Sequence, residues 1–196
     1  MNLLLIPFFC ALSSYKIVVL TSNRLNTLKK NLKNINSVFG HLDYEIHIFV
    51  DIPLQGSNIK TINFVKDVSL QNDQTNMFIY SRHMGSRTVW LSVLSMKPPF
   101  LLLEEDVFIT ENTEKWYDFC LKNMETHRQL LGCSFSTQPT VAVIGSPYKI
   151  NYNSSYTYPL IGSHGFMISP YHFSNFINYL QTRKEHKFLR VTVNNS

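Results

Sequence analysis

The sequence predicts an α/β fold with a mainly parallel central sheet. Short apolar runs rich in β-branched residues alternate along the chain with segments of helical periodicity, and three of these runs end in polar or acidic residues. With 196 residues, 44% of them hydrophobic and 16% charged, the chain is long and apolar enough to form a domain with its own core.

The first fifty residues predict a strand, a helix and a second strand. Residues 15–24, YKIVVLTSNR, form a buried strand that ends in polar side chains, and residues 44–51, YEIHIFVD, form the next strand. Ser22 or Asn23 is expected to cap the intervening helix, and Gly40 to end it. Its apolar residues recur at helical spacing: Leu25, Leu28, Leu32, Ile35 and Phe39. The unit implies a parallel strand pair with a right-handed crossover.

The middle of the chain is expected to add a loop, a helix and a third strand. After the loop, residues 57–68, SNIKTINFVKDV, predict a short helix followed by a strand. Residues 84–97 predict a buried helix, ended by the two prolines that follow. Residues 100–106, FLLLEED, then predict a strand that is apolar until its acids.

The last third of the chain is expected to mix strands and helices. A helix starts at Asn112, residues 140–145 form a strand, and residues 151–159 form an aromatic-polar loop. Residues 160–169 read as a broken strand, and residues 170–184 as a helix with proline in its first turn.

The acids of FLLLEEDVFIT are the strongest functional signal. Isolated charges are too costly to bury, so they need a partner. Strand alternation places Glu104 and Asp106 on one face and Glu105 on the other. Two such carboxylates are suited to a hard divalent cation such as Mg²⁺ or Mn²⁺. The alternative is a solvated strand end whose acids pair with Arg82 or Arg87.

Polar residues after the first two strands are expected at the same edge of the sheet, because ligands of such sheets bind outside the carboxyl ends of the strands. The backbone amides of residues 21–24 and the Arg24 guanidinium suit a phosphate or a nucleobase edge. The alternative is a helix cap beside a surface arginine. The net charge of +5 is dispersed, without a basic arm, which argues against nucleic acid and favours a small anionic ligand such as a nucleotide.

Together these motifs resemble the nucleotide-sugar-dependent glycosyltransferases of the GT-A fold. The motifs that carry this resemblance are KIVVLTSNRLNTLKKNL, HIFVD and FLLLEEDVFIT, and the first of them is similar to the opening of N-acetylglucosaminyltransferases. LLLEEDVFIT and IGSHGFMISPYHFSNFINYL are similar to lipopolysaccharide- and collagen-type glycosyltransferases. The resemblance extends over residues 15–182 and implies a GT-A-like (Rossmann-like) three-layer sandwich. It also implies metal-dependent transfer of a sugar from a nucleotide-sugar donor, a UDP-sugar, to a glycan or glycoconjugate acceptor.

The resemblance implies roles for individual residues. Glu105 and Asp106 become catalytic, with Asp106 as a ligand of Mn²⁺ or Mg²⁺, and Glu104 and Glu105 contacting the ribose, the sugar or metal-bound waters. Glu105 stands where the most similar patterns have Asp, so metal affinity and donor choice stay open. His164 becomes a second metal ligand, or a contact to acceptor or phosphate. The alternative is a loop histidine satisfied by its surroundings.

The resemblance further implies a nucleotide-sugar site in which Asp51 contacts the uracil or ribose and two arginines balance the diphosphate. The alternative for Asp51 is an acid that starts a turn. The alternative for the two arginines is a solvated basic helix start. The residues of this implied site are Thr21, Asn23, Arg24, Asp51, Arg82, Arg87 and Glu104.

A catalytic base is the missing part, because Glu185 is the only acid after residue 140. Three explanations stay open: a retaining mechanism, a base from Glu111 or Glu114, or a chain that lacks part of its acceptor half. The alternative function is a degenerate, non-catalytic relative that binds a nucleotide-sugar or glycan. A sugar nucleotidyltransferase is disfavoured, because TSNRLN lacks the glycines of a phosphate loop.

The N-terminus suggests a compartment. Residues 1–13 are expected to be a signal peptide or truncated signal anchor, the alternative being a buried strand, and residues 14–196 to form a single domain. A secretory-pathway protein of the endoplasmic reticulum or Golgi lumen follows, with membrane contact only through that anchor. In such a lumen Cys120 and Cys133 could pair, and their spacing is not that of a zinc site.

Overall fold

The computed structural model describes residues 14–93, 96–136, 140–143, 146–149 and 165–182. Its centre is a six-stranded sheet with the order β3-β2-β1-β4-β8-β5. Strands β3, β2, β1 and β4 run parallel to one another, and β8 runs antiparallel to both β4 and β5. The strands of this sheet are β1 (Tyr15–Thr21), β2 (Tyr44–Val50), β3 (Thr75–Ile79), β4 (Leu101–Glu104), β5 (Gly132–Ser134) and β8 (Phe166–Ile168).

Helices cover both faces of the sheet. The described helices are α1 (Leu25–Phe39), α2 (Ile59–Gln71), α3 (Ser86–Val93), α4 (Thr113–Thr126) and α5 (Pro170–Thr182). One apolar cluster joins α1, α2 and α4 to the side of the sheet that carries Ile17 and Leu103. A second cluster joins α3 to the opposite side, which carries Val18 and Leu102. This is a three-layer α/β sandwich with a mainly parallel central sheet, as the sequence predicted.

The opening strand-helix-strand unit forms as predicted. Tyr15 aligns with Tyr44 and the register runs in parallel to Thr21 and Val50. Gly40 is the C-cap of α1, as expected. The predicted N-cap was wrong: Arg24 holds that position, and no side chain caps the helix.

The prediction for residues 57–68 was partly wrong. A single helix, α2, runs from Ile59 to Gln71, and the next strand, β3, starts only at Thr75. Thr61 and Val65 explain the difference, because they lie one helical turn apart and both are buried. Helical periodicity therefore continues through the β-branched residues that suggested a strand.

Several other elements are shorter than predicted. Helix α3 covers only Ser86–Val93, and β4 stops at Glu104. Residues 140–143 do form a strand, β6 (Thr140–Val143), but it pairs with β7 (Ser146–Lys149) in a separate two-stranded sheet. Residues 144–145 of the predicted strand and the predicted aromatic-polar loop at 151–159 lie outside the described residues. Strand β5 was not predicted.

Hydrogen bonds attach α1 to the chain that follows β4. The Asn31 amide donates to the Val107 carbonyl at 2.6 Å. Asn34 donates to the Ile109 carbonyl at 2.9 Å and accepts from the Ile109 amide at 2.7 Å. The segment after the acidic motif therefore runs along α1 toward its C-terminal end. None of the described helices is long and apolar enough to span a membrane.

The Asn34 attachment gives the first testable prediction. Asn34→Ala leaves the Ile109 amide and carbonyl without their partner, so we expect unfolding to become easier by about 1–3 kcal/mol. Urea denaturation measures this. Lys33→Ala, on the exposed side of α1, is the matched control and should change stability by less than about 0.5 kcal/mol. Equal effects of the two variants would contradict the attachment.

Candidate functional site

One arginine neutralises two of the three acids that follow β4. Arg24 Nε lies 2.7 Å from Glu105 Oε1, and Arg24 Nη1 lies 2.7 Å from Asp106 Oδ2. Arg24 comes directly before α1, and the acids follow the neighbouring strand, so parallel pairing of β1 with β4 brings them together. Among the described side chains, the partner of these two acids is Arg24, where the sequence suggested Arg82 or Arg87.

The acids are arranged differently from the predicted alternation. Strand β4 ends at Glu104, and the Val107 amide donates back to the Glu104 carbonyl at 3.0 Å, which closes a turn. Because residues 105 and 106 lie in that turn, strand alternation no longer applies to them. Glu105 and Asp106 therefore meet on one guanidinium, and the predicted pairing of Glu104 with Asp106 on one face was wrong.

Burial differs sharply between the members of this triad, Arg24, Glu105 and Asp106. The Glu105 side chain is only 6% exposed, whereas that of Asp106 is 44% and that of Arg24 49% exposed. The hydrogen bond to Glu105 is the main cause that raises the pKa of Arg24 above its ordinary value. One guanidinium faces two carboxylates, so in ionised form the triad keeps one net negative charge at its exposed, Asp106 side.

Asp51 organises the loop that leads into α3. Its carboxylate accepts hydrogen bonds from the backbone amides of Met84 at 2.8 Å and Gly85 at 3.0 Å. Gly85 has a φ of 76°, a conformation that glycine adopts without strain. His83 Nδ1 donates to the Ile52 carbonyl at 2.6 Å and lies 3.4 Å from Asp51 Oδ2. Asp51 thereby holds the loop between β3 and α3 at the carboxyl edge of the sheet.

The other residues of the predicted nucleotide-sugar site lie at or near this edge. Thr21 ends β1 and its buried hydroxyl has no hydrogen-bond partner among the described residues. Arg82 is exposed in the loop that Asp51 holds. Glu104 ends β4 and is half-buried. The Arg87 side chain and His164 lie outside what the structure describes.

A cleft of about 630 Å³ opens beside the triad. Its walls come from the starts of two helices on the same face of the sheet, α1 and α2. The Asn58 amide of the second wall donates to the Asp51 carbonyl at 2.9 Å, which ties the cleft to β2. The lining residues are Asn23, Arg24, Leu25, Asn26, Thr27, Ser57, Asn58, Ile59, Lys60 and Thr61.

The α2 side of the cleft was not predicted from the sequence. Ser57, Asn58, Lys60 and Thr61 supply polar and positively charged groups there. A signal existed: α2 also starts after a strand of the parallel sheet, so its first turn had to lie at the carboxyl edge.

The side chains at this edge suit a metal ion only in part. The described residues contain no group of three His, Cys, Asp or Glu side chains able to hold a metal ion. Mg²⁺ at nucleotide sites, however, is usually bound by one or two carboxylates together with waters and phosphate oxygens. Asp106, which is exposed and adjoins the cleft wall formed by Arg24, fits that pattern. Glu105 does not, because it is buried against Arg24.

Comparisons with known proteins give a distant structural likeness. No protein-family model matches the chain, and no curated protein matches it. A 4-diphosphocytidyl-2C-methyl-D-erythritol synthase from Anaerococcus prevotii aligns at 14% identity and a TM-score of 0.47, covering 87% of this chain and 77% of that one. The apo-form glycosyltransferase GlyE of Streptococcus pneumoniae aligns at 11% identity and a TM-score of 0.49 over 90% of this chain. This chain spans 40% of GlyE. At these scores the likeness bears on neither activity nor ligand.

The triad makes a prediction about coupling. Arg24→Met leaves the buried Glu105 carboxylate without its partner, so we expect a loss of about 1–3 kcal/mol in unfolding free energy. Adding Glu105→Gln should recover part of that loss, giving a coupling above about 0.5 kcal/mol in a double-mutant cycle. The same cycle with Asp106→Asn serves as the control, because that exposed pair is expected to couple by less than about 1 kcal/mol. Weaker coupling to Glu105 than to Asp106 would contradict the assignment.

Proposed function

We propose that the protein is a glycosyltransferase that moves a sugar from a nucleotide-sugar donor to a glycan or glycoconjugate acceptor. One observation carries the proposal: Arg24, Glu105 and Asp106 form a charged group beside a polar cleft, at the carboxyl edge of a parallel sheet. Open α/β sheets bind ligands at this edge. A UDP-sugar is the donor that the sequence resemblance favours.

The cleft offers the features that a diphosphate requires. Arg24 and Lys60 line it with positive charge. No side chain caps the start of α1, so its first backbone amides stay available to an anion at the positive end of the helix dipole. A nucleoside diphosphate placed here would have its phosphates between the two helix starts.

We assign the nucleobase and the ribose of the nucleotide-sugar to the loop between β3 and α3 that Asp51 holds. Asp51 already accepts two backbone hydrogen bonds, but a carboxylate has about four acceptor sites, which leaves capacity for a ribose hydroxyl or a uracil N–H. Arg82, in the loop that Asp51 holds, supplies a further positive charge for the donor.

Asp106 is the proposed ligand of Mn²⁺ or Mg²⁺, together with phosphate oxygens of the donor. A bound divalent cation would stabilise the negative charge that develops on the leaving diphosphate. The exposed negative charge that the triad retains favours a cation at Asp106. Glu105 takes a different role from the one the resemblance implied: being buried, it positions the Arg24 guanidinium.

Arg24 and a divalent cation compete for Asp106 in this proposal. The guanidinium lies 2.7 Å from Asp106 Oδ2, and two positive groups this close to one carboxylate repel each other. Cation binding would release the Arg24–Asp106 contact and turn the free side of the guanidinium toward the donor phosphates. Glu105 would keep the other side of the guanidinium in place.

A non-catalytic nucleotide-sugar or glycan-binding protein is the second candidate, and one observation favours it. Glu114 lies 3.6 Å from His41, just past the C-terminal end of α1, whereas Arg24 precedes the N-terminal end. Helix α1 has 15 residues, so these ends lie about 22 Å apart at 1.5 Å per residue. Glu114 is therefore badly placed to act as the base.

A glycan acceptor and a lumen of the secretory pathway remain part of the proposal, as the resemblance and the N-terminal sequence favour them.

Calorimetric titration with UDP, with and without Mn²⁺, tests the binding step. We expect wild-type protein to bind UDP more tightly with Mn²⁺, and Asp106→Ala to lose that metal-dependent gain, because the proposed ligand is gone. Asp67→Ala, an exposed acid on α2, should bind as wild type does. Failure of wild type to bind UDP under either condition would refute the proposal. Binding without turnover across UDP-sugars would favour the second candidate.

Direct titration of Mn²⁺, followed by electron paramagnetic resonance in the absence of nucleotide, tests the competition. Arg24→Gln removes the positive charge from Asp106, so we expect Mn²⁺ affinity to rise about tenfold, equivalent to about 1.4 kcal/mol. Lys60→Gln removes a charge from the far wall of the cleft and should change the affinity much less. A lower or unchanged Mn²⁺ affinity in Arg24→Gln would show that Arg24 does not compete with the cation.

A further inference from the structure

Two cysteines lie on neighbouring elements, α4 and β5, and neither belongs to the carboxyl-edge site. Cys120 is fully buried in α4, and Cys133 is half-buried in β5. Both belong to the apolar cluster between the sheet and the layer of α1, α2 and α4. They are thirteen positions apart in the sequence, and the end of α4 and a turn lie between them.

The surrounding contacts hold α4 against β5, the two elements that carry the cysteines. Trp116 Nε1 donates to the Ser134 carbonyl at 2.9 Å, which ties the first half of α4 to β5. Cys120 lies one helical turn after Trp116, and Cys133 directly precedes Ser134. Cys133 is also held from the other side, because it aligns with Met167 of β8. An interaction between the two thiols raises the pKa of Cys120 and lowers that of Cys133.

We propose that Cys120 and Cys133 form a redox-active dithiol site, which an oxidising thiol–disulfide partner converts into a disulfide between α4 and β5. This inference does not depend on the proposed transfer activity. The chemical class of co-reactant is a small-molecule disulfide such as oxidised glutathione.

The two thiols have different roles in this exchange. Cys133 is the more accessible one, and the interaction with Cys120 lowers the pKa of its thiol, which favours the nucleophilic thiolate. Its thiolate attacks one sulfur of the oxidant, the oxidant's S–S bond breaks, and one thiolate leaves. Cys120, buried and with a raised thiol pKa, is the resolving residue.

The second step closes the protein disulfide. The Cys120 sulfur gives up its proton and attacks Cys133 in the mixed disulfide, and the oxidant's second thiolate leaves. The protein loses two electrons and two protons, and the oxidant gains both as two free thiols. The product links α4 to β5 over a short loop and adds a covalent bond where Trp116 and Ser134 already hold the two elements together.

Mass spectrometry of the full chain after alkylation tests the site, in a Cys10→Ser background that leaves only these two thiols. We expect equilibration with oxidised glutathione to yield a peptide pair joined through Cys120 and Cys133, and dithiothreitol to restore two alkylatable thiols. The oxidised protein should melt about 5–10 °C higher than the reduced one. Cys120→Ser is the control: it should accumulate a stable glutathione adduct at Cys133 and show no rise in Tm on oxidation.

Three results would overturn the site. Two thiols that remain alkylatable in folded protein after oxidation would do so. A persistent glutathione adduct on Cys133 in the Cys10→Ser protein would show that Cys120 cannot resolve it. An oxidised protein that melts at a lower temperature than the reduced one would show that the bond distorts the packing of α4 on β5. The linked peptides are mapped in the Cys10→Ser protein, in which Cys120 is unchanged. This measurement therefore stays decisive even if the Cys120→Ser control fails to fold.

Discussion

The contact of Arg24 with Glu105 and Asp106 is the interaction on which the carboxyl-edge site depends. A buried carboxylate needs a partner with strong hydrogen bonds, and the guanidinium supplies one through a 2.7 Å contact with Glu105. That same contact orients Arg24 toward Asp106 and holds it at the rim of the cleft. Parallel pairing of β1 with β4 makes the meeting possible, since it ends both strands at one edge.

Hydrogen bonds from side chains to backbone groups hold the segments around this contact. Asn31 and Asn34 attach the segment after the acidic turn to α1, so the helix that follows Arg24 also carries the chain that follows Asp106. Asp51 does the same for the loop before α3 through two backbone amides. The edge is therefore pre-organised by contacts that need no ligand, which lowers the ordering cost of binding one.

Periodicity was enough to predict the α/β class, the first parallel pair and the acidic edge, because each depends on local patterns and one topological rule. Periodicity failed where tertiary contacts determine the local structure. The two acids that share Arg24 could not be identified, because a turn closed by a backbone hydrogen bond to Glu104 ends the strand two residues before its predicted end at residue 106. Helix α2 occupies the segment in which a strand was expected. The burial of Thr61 and Val65 on one face of the helix outweighed the β propensity of these residues. The three-residue strand β5 was too short to leave a pattern.

Paramagnetic broadening by Mn²⁺ in amide NMR spectra, recorded in the presence of UDP, tests the central claim most directly because it locates the cation in the folded chain. The account predicts that signals from residues 105–107 and from the start of α1 broaden first, and that those around Cys133 on β5 are spared. Broadening centred elsewhere, with the signals of Arg24 and Asp106 unchanged, would contradict a metal and diphosphate site at the carboxyl edge of the sheet.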